Sequence, residues 1–268
     1  MYATTLAADI RELLREQRDY RELLLQITVR DLLLRYKQTA MGAAWGVFMP
    51  LLNTGMFTVI FTRVAPIETG MPYPLYAYCG LVTWNWFASS TRFAITSLTS
   101  NATLVTKVYF PREALPFSAV IVGFVDLLVA SLVLVGLLIY YGAGPVWLVL
   151  FLPVVFGVQL LFTAAIALLG AMGNLFYRDV KYLFEVAITV WMFATSVVYP
   201  VGRVGGWLAY VLALNPMTPI IDAYRAVLID GTLPPLSSFG PAAVAAAVLF
   251  AVAWITFHRA EFRFAENI

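Results

Sequence analysis

Long uncharged runs alternate along this chain with short polar interruptions, and the spacing of the interruptions predicts its elements. Residues 8–37 are charged on one face, where Arg15 with Asp19 and Arg18 with Glu22 are four apart, while Ile10, Leu13, Leu14, Leu24 and Ile27 make the other face apolar. That spacing predicts an amphipathic helix lying in the headgroup plane or packed on a partner. No charge occurs over residues 38–62, which at ~1.5 Å per residue is enough for one tilted membrane span. Gly42 and Gly46 have the small-residue spacing that lets helices approach closely, and Pro50 is expected to kink or open the helix. A second span is predicted over residues 75–97, after Pro72 and Pro74.

Between Asp126 and Arg178 there is no charge at all, too long a run for one helix. Gly142, Gly144 and Pro145 break it, behind the interface-loving Tyr140 and Tyr141. This predicts a tight hairpin between span three, 117–141, and span four, 146–175. A polar knot at 177–181 precedes a short span five, 182–200, and span six covers 239–257. Residues 202–238 are apolar yet interrupted by Gly202, Gly205, Gly206, Pro216, Pro219, Pro234 and Pro235. Irregular backbone at membrane depth must be shielded by protein or line a cavity, so 202–233 is expected to form two re-entrant half-helices, 207–214 and 219–229, capping one side.

The remaining interruption, 101–116, is too short and too apolar for a domain. It predicts a helix at the membrane surface, with Val105, Val108 and Phe110 toward the membrane or a partner. Lys107, Arg112 and Glu113 are expected to face water.

Composition agrees with an all-α integral membrane protein: hydrophobic residues are 62% and charged residues 12%, against about 25% charged in soluble domains. The net charge of +2 and the scatter of basic residues at span ends exclude nucleic acid as a partner. One cysteine, Cys79, excludes an internal disulfide, and one histidine, His258, leaves no histidine cluster for zinc or a Ser-His-Asp triad. Cys79 is expected in the core and His258 at the end of span six. The charged first forty residues predict no cleavable signal, so the first span directs insertion. With the N-terminus inside, six spans put fourteen Lys and Arg on the inner side and only Arg63, Arg203 and Arg225 outside, which predicts both termini in the cytoplasm.

No phosphate-binding loop, nucleophile elbow or zinc-protease motif is present, so no cofactor is expected in this chain. Two charges fall within spans. Asp126 lies ten residues beyond Pro116, ~15 Å along span three, and Arg92 lies a turn or two above the inner end of span two. Such groups are rare and usually paired; the expectation is an Asp126–Arg92 pair or an Asp126 bonded to hydroxyls, with proton coupling as the alternative. Among many aromatics, Trp45, Phe48, Trp84, Phe193 and Tyr199 are candidates for a path over which sugar rings slide, against packing as the default.

The order of parts resembles a known family. Arg35-Tyr-Lys-Gln-Thr-Ala-Met-Gly42 and Trp45 lead into span one, and Pro72-Tyr-Pro-Leu-Tyr76 with Gly80-Leu-Val-Thr-Trp84 opens span two. Lys107-Val-Tyr-Phe-Pro-Arg-Glu113, Phe176-Tyr-Arg-Asp-Val-Lys181, Val198-Tyr-Pro200, Asn215-Pro-Met217 and Tyr224-Arg225 follow in order. Together they are similar to the membrane subunit of ABC-2 type polysaccharide exporters, which move O-antigen, teichoic acid and related glycans. The resemblance implies a homodimer of six-span subunits, joined to two soluble ATPase subunits that hold the ATP and magnesium, and a lipid-linked polysaccharide as cargo. It implies that Asn101, Lys107, Tyr109, Phe110, Pro111, Arg112 and Glu113 belong to the principal coupling helix. It implies too that Arg178, Asp179 and Lys181 make a further contact with the ATPase, as does the N-terminal helix. Gly205, Gly206, Asn215, Pro216 and Pro219 would belong to a cap over the channel exit. The rival readings are an ABC-2 exporter of drugs or lipids, a membrane-embedded glycan or lipid transferase, and a proton-driven carrier; the last would need several buried acids.

Overall fold

The computed structural model describes residues 19–37, 44–143, 146–200, 206, 212 and 214–264, and every element among them is helical. In chain order these are α1 (Arg21–Tyr36), α2 (Trp45–Val59, continued by a π turn, Ile60–Val64), α3 (Tyr73–Ser100), the short α4 (Ala102–Lys107) and α5 (Ala114–Tyr141). A 3₁₀ turn, Val146–Phe151, leads into α6 (Leu152–Phe176). Then come α7 (Val180–Phe193), α8 (Met217–Arg225, continued by a π turn, Ala226–Asp230) and α9 (Leu236–Ala260, with a 3₁₀ end, Glu261–Arg263).

The punctuation works locally. Pro72 precedes α3 and Pro74 sits in its first turn, where a missing N–H costs nothing. Gly142 closes α5 in the left-handed region at φ 62°, the conformation only glycine takes freely. The chain runs helically through Pro50 and loosens at the π turn that ends α2.

Four segments are long and apolar enough to cross a membrane: Trp45–Val64, Ala114–Tyr141, Trp147–Phe176 and Leu236–Arg263. The chain is thus a multi-pass membrane protein. Of the six spans the charge pattern predicts, the second and fifth do not meet both tests. α3 has the length, at 28 residues, but is the more polar helix, and α7 has only 14 residues.

α3 is polar because it is surrounded by protein. It packs against α2, α5, α6, α7 and α8, and several polar groups at its contacts find partners there. Tyr78 Oη donates to Ala130 O at 3.0 Å, Trp86 Nε1 to Val120 O at 3.3 Å, and Gln159 Nε2 of α6 to Thr83 O at 2.8 Å. Small residues let the neighbours close in: a Cβ on Gly123 would lie 2.1 Å from Ser90 Oγ, and one on Gly170 2.6 Å from Ile95 Cγ1.

Two apolar cores result. The larger surrounds the first half of α3 with α5, α6 and α8. The smaller gathers Ile27, Leu98, Val105, Phe110, Leu115, Leu175, Phe257 and Phe264 at the opposite end.

α1 is the described part of the expected amphipathic helix, with only Ile27 and Thr28 buried. It runs beside α5, with Ser118 Oγ donating to Asp31 Oδ2 at 3.0 Å and Arg35 Nη2 2.7 Å from Asp126 Oδ2. Ile10, Leu13, Leu14, Arg15, Arg18 and Gly42 lie outside the described residues.

Candidate coupling surface and transport path

The smaller core brings both polar interruptions to one end of the molecule. Asn174 Nδ2 donates to Thr99 Oγ1 at 3.4 Å, so the ends of α3 and α6 coincide, and with them residues 101 and 177. α1 joins through Asn101. Its side-chain oxygen accepts from Arg30 Nη2 at 3.0 Å, while its Nδ2 donates to Ser97 O at 2.8 Å. The last residues of α9 arrive at the same place, where Phe264 meets Phe257 at 5.0 Å and Phe176 at 5.9 Å between ring centroids.

Residues 101–116 are not one helix. α4 stops at Lys107, an extended Val108 follows, and α5 begins at Ala114. Val105 and Phe110 are buried as the apolar spacing predicts, but Val108 is exposed. The expectation that Arg112 and Glu113 face water is overturned. Glu113 is fully buried and accepts from Trp254 Nε1 at 3.3 Å. Arg112 is held by the end of α9: its backbone N–H donates to Glu261 Oε1 at 2.8 Å and its Nη1 to Glu261 O at 2.9 Å, while Nη2 reaches Val105 O at 3.3 Å. A segment that passes beneath the last helix cannot show both charges to water. Pro111 is buried with them, which leaves Lys107, Val108 and Tyr109 as its exposed tip.

His258 is likewise no free end residue; its Nδ1 is 3.7 Å from Glu261 Oε2. Glu113, His258 and Glu261 bring one ligand atom each within 4.8 Å of one another. Arg112 already supplies the positive charge at that cluster.

The second interruption is the more exposed. Tyr177 is extended, and Tyr177, Arg178, Asp179 and Lys181 all face outward, with Lys181 Nζ 4.8 Å over the Tyr182 ring. The exposed tips of the two loops therefore lie at the same end of the molecule.

The candidate path residues divide. Trp45, Phe48 and Phe193 are exposed, with Trp45 edge-on to Phe48 at 5.7 Å. Tyr199 is half-buried, its hydroxyl donating to Phe193 O. Trp84 is buried between Phe87 at 5.3 Å and Trp191 at 6.3 Å; in the single chain it packs the wall instead of facing open space.

An Asp126–Arg92 pair does not form. Arg92 Nε donates to Glu185 Oε1 of α7 at 2.6 Å. Asp126 takes Arg35 on one oxygen and the Tyr36 hydroxyl on the other. Burial first, and the hydrogen bond to Asp126 next, push the Tyr36 hydroxyl up to about 12, so it remains a donor at neutral pH. Sequence reasoning missed Glu185, Glu261 and the role of Arg35. A lone acid in the apolar run 182–200 was the signal for the first; the other two depend on which helices meet.

At the other end, Asn215 links α7 to α8. Its Nδ2 donates to Ala194 O at 2.9 Å and Thr195 Oγ1 at 2.7 Å, and its oxygen accepts from Trp191 Nε1 at 2.9 Å and Met217 N at 3.1 Å. Pro216 precedes α8 and Pro219 lies in its first turn. Gly206 takes φ 73°, while Gly205 and most of 207–214 fall outside the described residues. Asn215→Leu removes the side-chain partner of buried Thr195 and Met217 and of half-buried Trp191 and Ala194, at about 1–3 kcal/mol for each buried group left unpaired. The expected result is a clear fall in the melting temperature of the detergent-solubilised protein.

Arg225, counted with the outer segments, is a buried charge. It is 3% exposed and donates to Tyr76 O, Val197 O and Ser196 Oγ.

Comparison with known proteins points the same way. The model of the ABC-2 type transporter family matches residues 22–229. The chain is 33% identical over 262 residues to the O-antigen export system permease protein RfbA of Myxococcus xanthus, covering 96% of this chain and 99% of that one. It is 28% identical over 246 residues to the O-antigen export system permease protein RfbA of Klebsiella pneumoniae, covering 91% and 94%. Apolar helices that share one polar loop end, and a family match over most of the chain, lead to one statement: the chain belongs to the ABC-2 type transporter family, as the membrane subunit of a transporter.

Proposed function

We propose that this chain is the channel-forming subunit of an ATP-driven exporter of lipid-linked polysaccharide in the bacterial cytoplasmic membrane. The observation that carries the reading is the near end-to-end similarity to two O-antigen export permeases. In this reading two copies form the channel, and two soluble ATPase subunits bind the ATP and magnesium. α3 and α7 complete six spans, enclosed by protein or by the second copy. Both termini and both polar loops face the cytoplasm, and 202–233 forms the re-entrant cap at the exit.

The exposed apolar faces favour a dimer. On α7, Leu183, Val186, Val190 and Phe193 form one outward stripe, and on α2 Trp45, Phe48, Met49 and Leu52 do the same. Lined by such aromatics, a channel could pass a polymer without fixed recognition of any one sugar. The motor subunits would grip the tips at 107–109 and 177–181. Their motion would pass through Arg112 and Glu261 into α5 and α9 together, because that contact joins the loop to both helices.

The test is a deletion strain. Removing the gene should make a lipid-linked glycan accumulate on the cytoplasmic side, and the tagged protein should co-purify with an ATPase. An exporter of drugs or lipids would leave glycan levels unchanged, and absence of any ATPase would overturn the reading.

A further inference from the structure

We propose that the exported glycan is one whose repeat units carry no ionised group, and that an open polar stripe on α3 sets this preference. The inference rests on the export function proposed above and narrows its cargo.

α3 is largely enclosed, so what it leaves open is informative. From Leu75 to Leu98 every residue is buried except Asn85, Ser89, Arg92, Phe93 and Thr96. Four of the five are polar, and Asn85, Ser89, Arg92 and Thr96 follow one another at the spacing of one helix face. The stripe lies beside the membrane-crossing helices. A Cβ on Gly123 would touch Ser90 Oγ and one on Gly170 would touch Ile95 Cγ1. Both glycines sit within segments long and apolar enough to cross, Ala114–Tyr141 and Trp147–Phe176. Polar and charged side chains at that level face protein or a water-filled space, because hydrocarbon does not solvate them. The stripe opens between α2 and α7. Asn85, Ser89 and Arg92 line a cavity of about 460 Å³ with Trp45 and Met49 of α2, and Arg92 Nε donates to Glu185 Oε1 of α7 at 2.6 Å. These two neighbours carry the exposed aromatics Trp45, Phe48 and Phe193.

Charge along this face cancels. Arg92 is paired with Glu185, Arg35 with Asp126 at the wall of the same cavity, and Arg225 with Asp222 at the other end of α3. Pores that pass phosphate or other anions present rings of Arg or Lys. Here each of the three cations is matched by a carboxylate, so a string of phosphodiesters would meet no surplus positive charge to replace its hydration.

Hydrogen bonding favours the same cargo. Ser89 Oγ donates to Trp86 O at 3.5 Å and Thr96 Oγ1 to Phe93 O at 3.2 Å. Both hydroxyls thus spend their protons inside α3 and present acceptor oxygens, and the half-exposed Glu185 carboxylate adds more. Sugar hydroxyls donate as well as accept, whereas an ionised phosphodiester only accepts. A stripe rich in acceptors therefore holds hydroxyls and turns phosphates away, without reading any one sugar.

The experiment reconstitutes the full chain with its co-purifying subunits into vesicles. Two labelled probes share one carrier lipid and one length: a neutral hexose oligomer, and the same oligomer bridged by glycerol phosphate. The diphosphate of the carrier is common to both and cancels. ATP-dependent entry is read as label shielded from an added membrane-impermeant oxidant. The neutral probe should enter at least tenfold faster. Glu185→Gln leaves Arg92 without its counter-charge. Thr189→Lys adds a cation at an exposed position one turn along α7, where Thr189 Oγ1 bonds Glu185 O at 3.0 Å. Each should raise the phosphodiester-to-neutral ratio at least fivefold. Both alter exposed side chains, so either decides the matter should the other fail to fold. Equal entry of the two probes, or faster entry of the phosphodiester, overturns the proposal and leaves the export reading standing. A ratio that neither variant raises also overturns it, since the stripe is then covered by the second copy. Entry of neither probe overturns the export reading, and the cargo inference with it.

Discussion

Gly80→Ala is expected to lower the melting temperature of the solubilised protein by roughly 6–12 °C, the shift for about 3 kcal/mol in a chain of this size. An added Cβ would lie 2.4 Å from Arg225 Nη2 and 2.4 Å from Val197 O. One of those neighbours is backbone, so it cannot swing away. The other is a buried guanidinium with its bonds already made: Val197 O at 2.8 Å, Asp222 Oδ1 at 2.9 Å, Tyr76 O at 3.2 Å and Ser196 Oγ at 3.3 Å. It also stacks 3.6 Å over the Tyr76 ring. Moving it strands a buried charge and two carbonyls, and breaking a buried charge network typically costs 3–5 kcal/mol. Gly136→Ala is the control. Nothing lies within 4 Å of a Cβ there, and alanine favours the helix by up to ~1 kcal/mol. If the two variants melt alike, the close approach of α3 to Arg225 does not hold α8 in place.

The same contact marks the boundary of what the sequence discloses. Local signals translate directly into structure where backbone chemistry decides: Gly142 ends α5 at the predicted break. The apolar set Val105, Val108 and Phe110 holds only in part, because the helix stops at Lys107 and Val108 is exposed. Charges behave differently, because their fate depends on which helices meet. Arg225 reads only as one of three charges on the outer side, and its local pattern does not show that it is enclosed by α3 and the chain after α7. Glu113 and Arg112 read as a solvated pair, yet α9 covers them from 141 and 149 residues away. Asp126 pairs with Arg35 instead of Arg92 because α1 runs beside α5, which periodicity alone cannot show. The enclosed position of α3 hides in the same way. Its polar content lowers its hydropathy as a span, and only the surrounding helices explain why that is tolerated.

The structure also changes how the proposed coupling segment has to be tested. Replacing residues 109–113 as a block would confound grip with folding, since Phe110, Arg112 and Glu113 are held inside the chain. The informative substitutions are at the tip. Tyr109 is 82% exposed and Val108 52%, and changes at such surface positions usually cost within ~0.5 kcal/mol. Val108→Ser/Tyr109→Ala is therefore expected to insert and melt like the parent, yet to reduce glycan export in cells at least tenfold and weaken retention of the ATPase on purification. Arg112→Ala should behave oppositely. It removes the Arg112 contacts to Glu261 and to Val105 O, so it lowers the melting temperature before any effect on the motor subunit is considered. That contrast would assign the roles: the tip as the contact with the partner, and Arg112 with Glu261 as the link that carries the displacement into α9. Full export by the tip variant would place the motor contact elsewhere, with the exposed 177–181 loop the next segment to exchange.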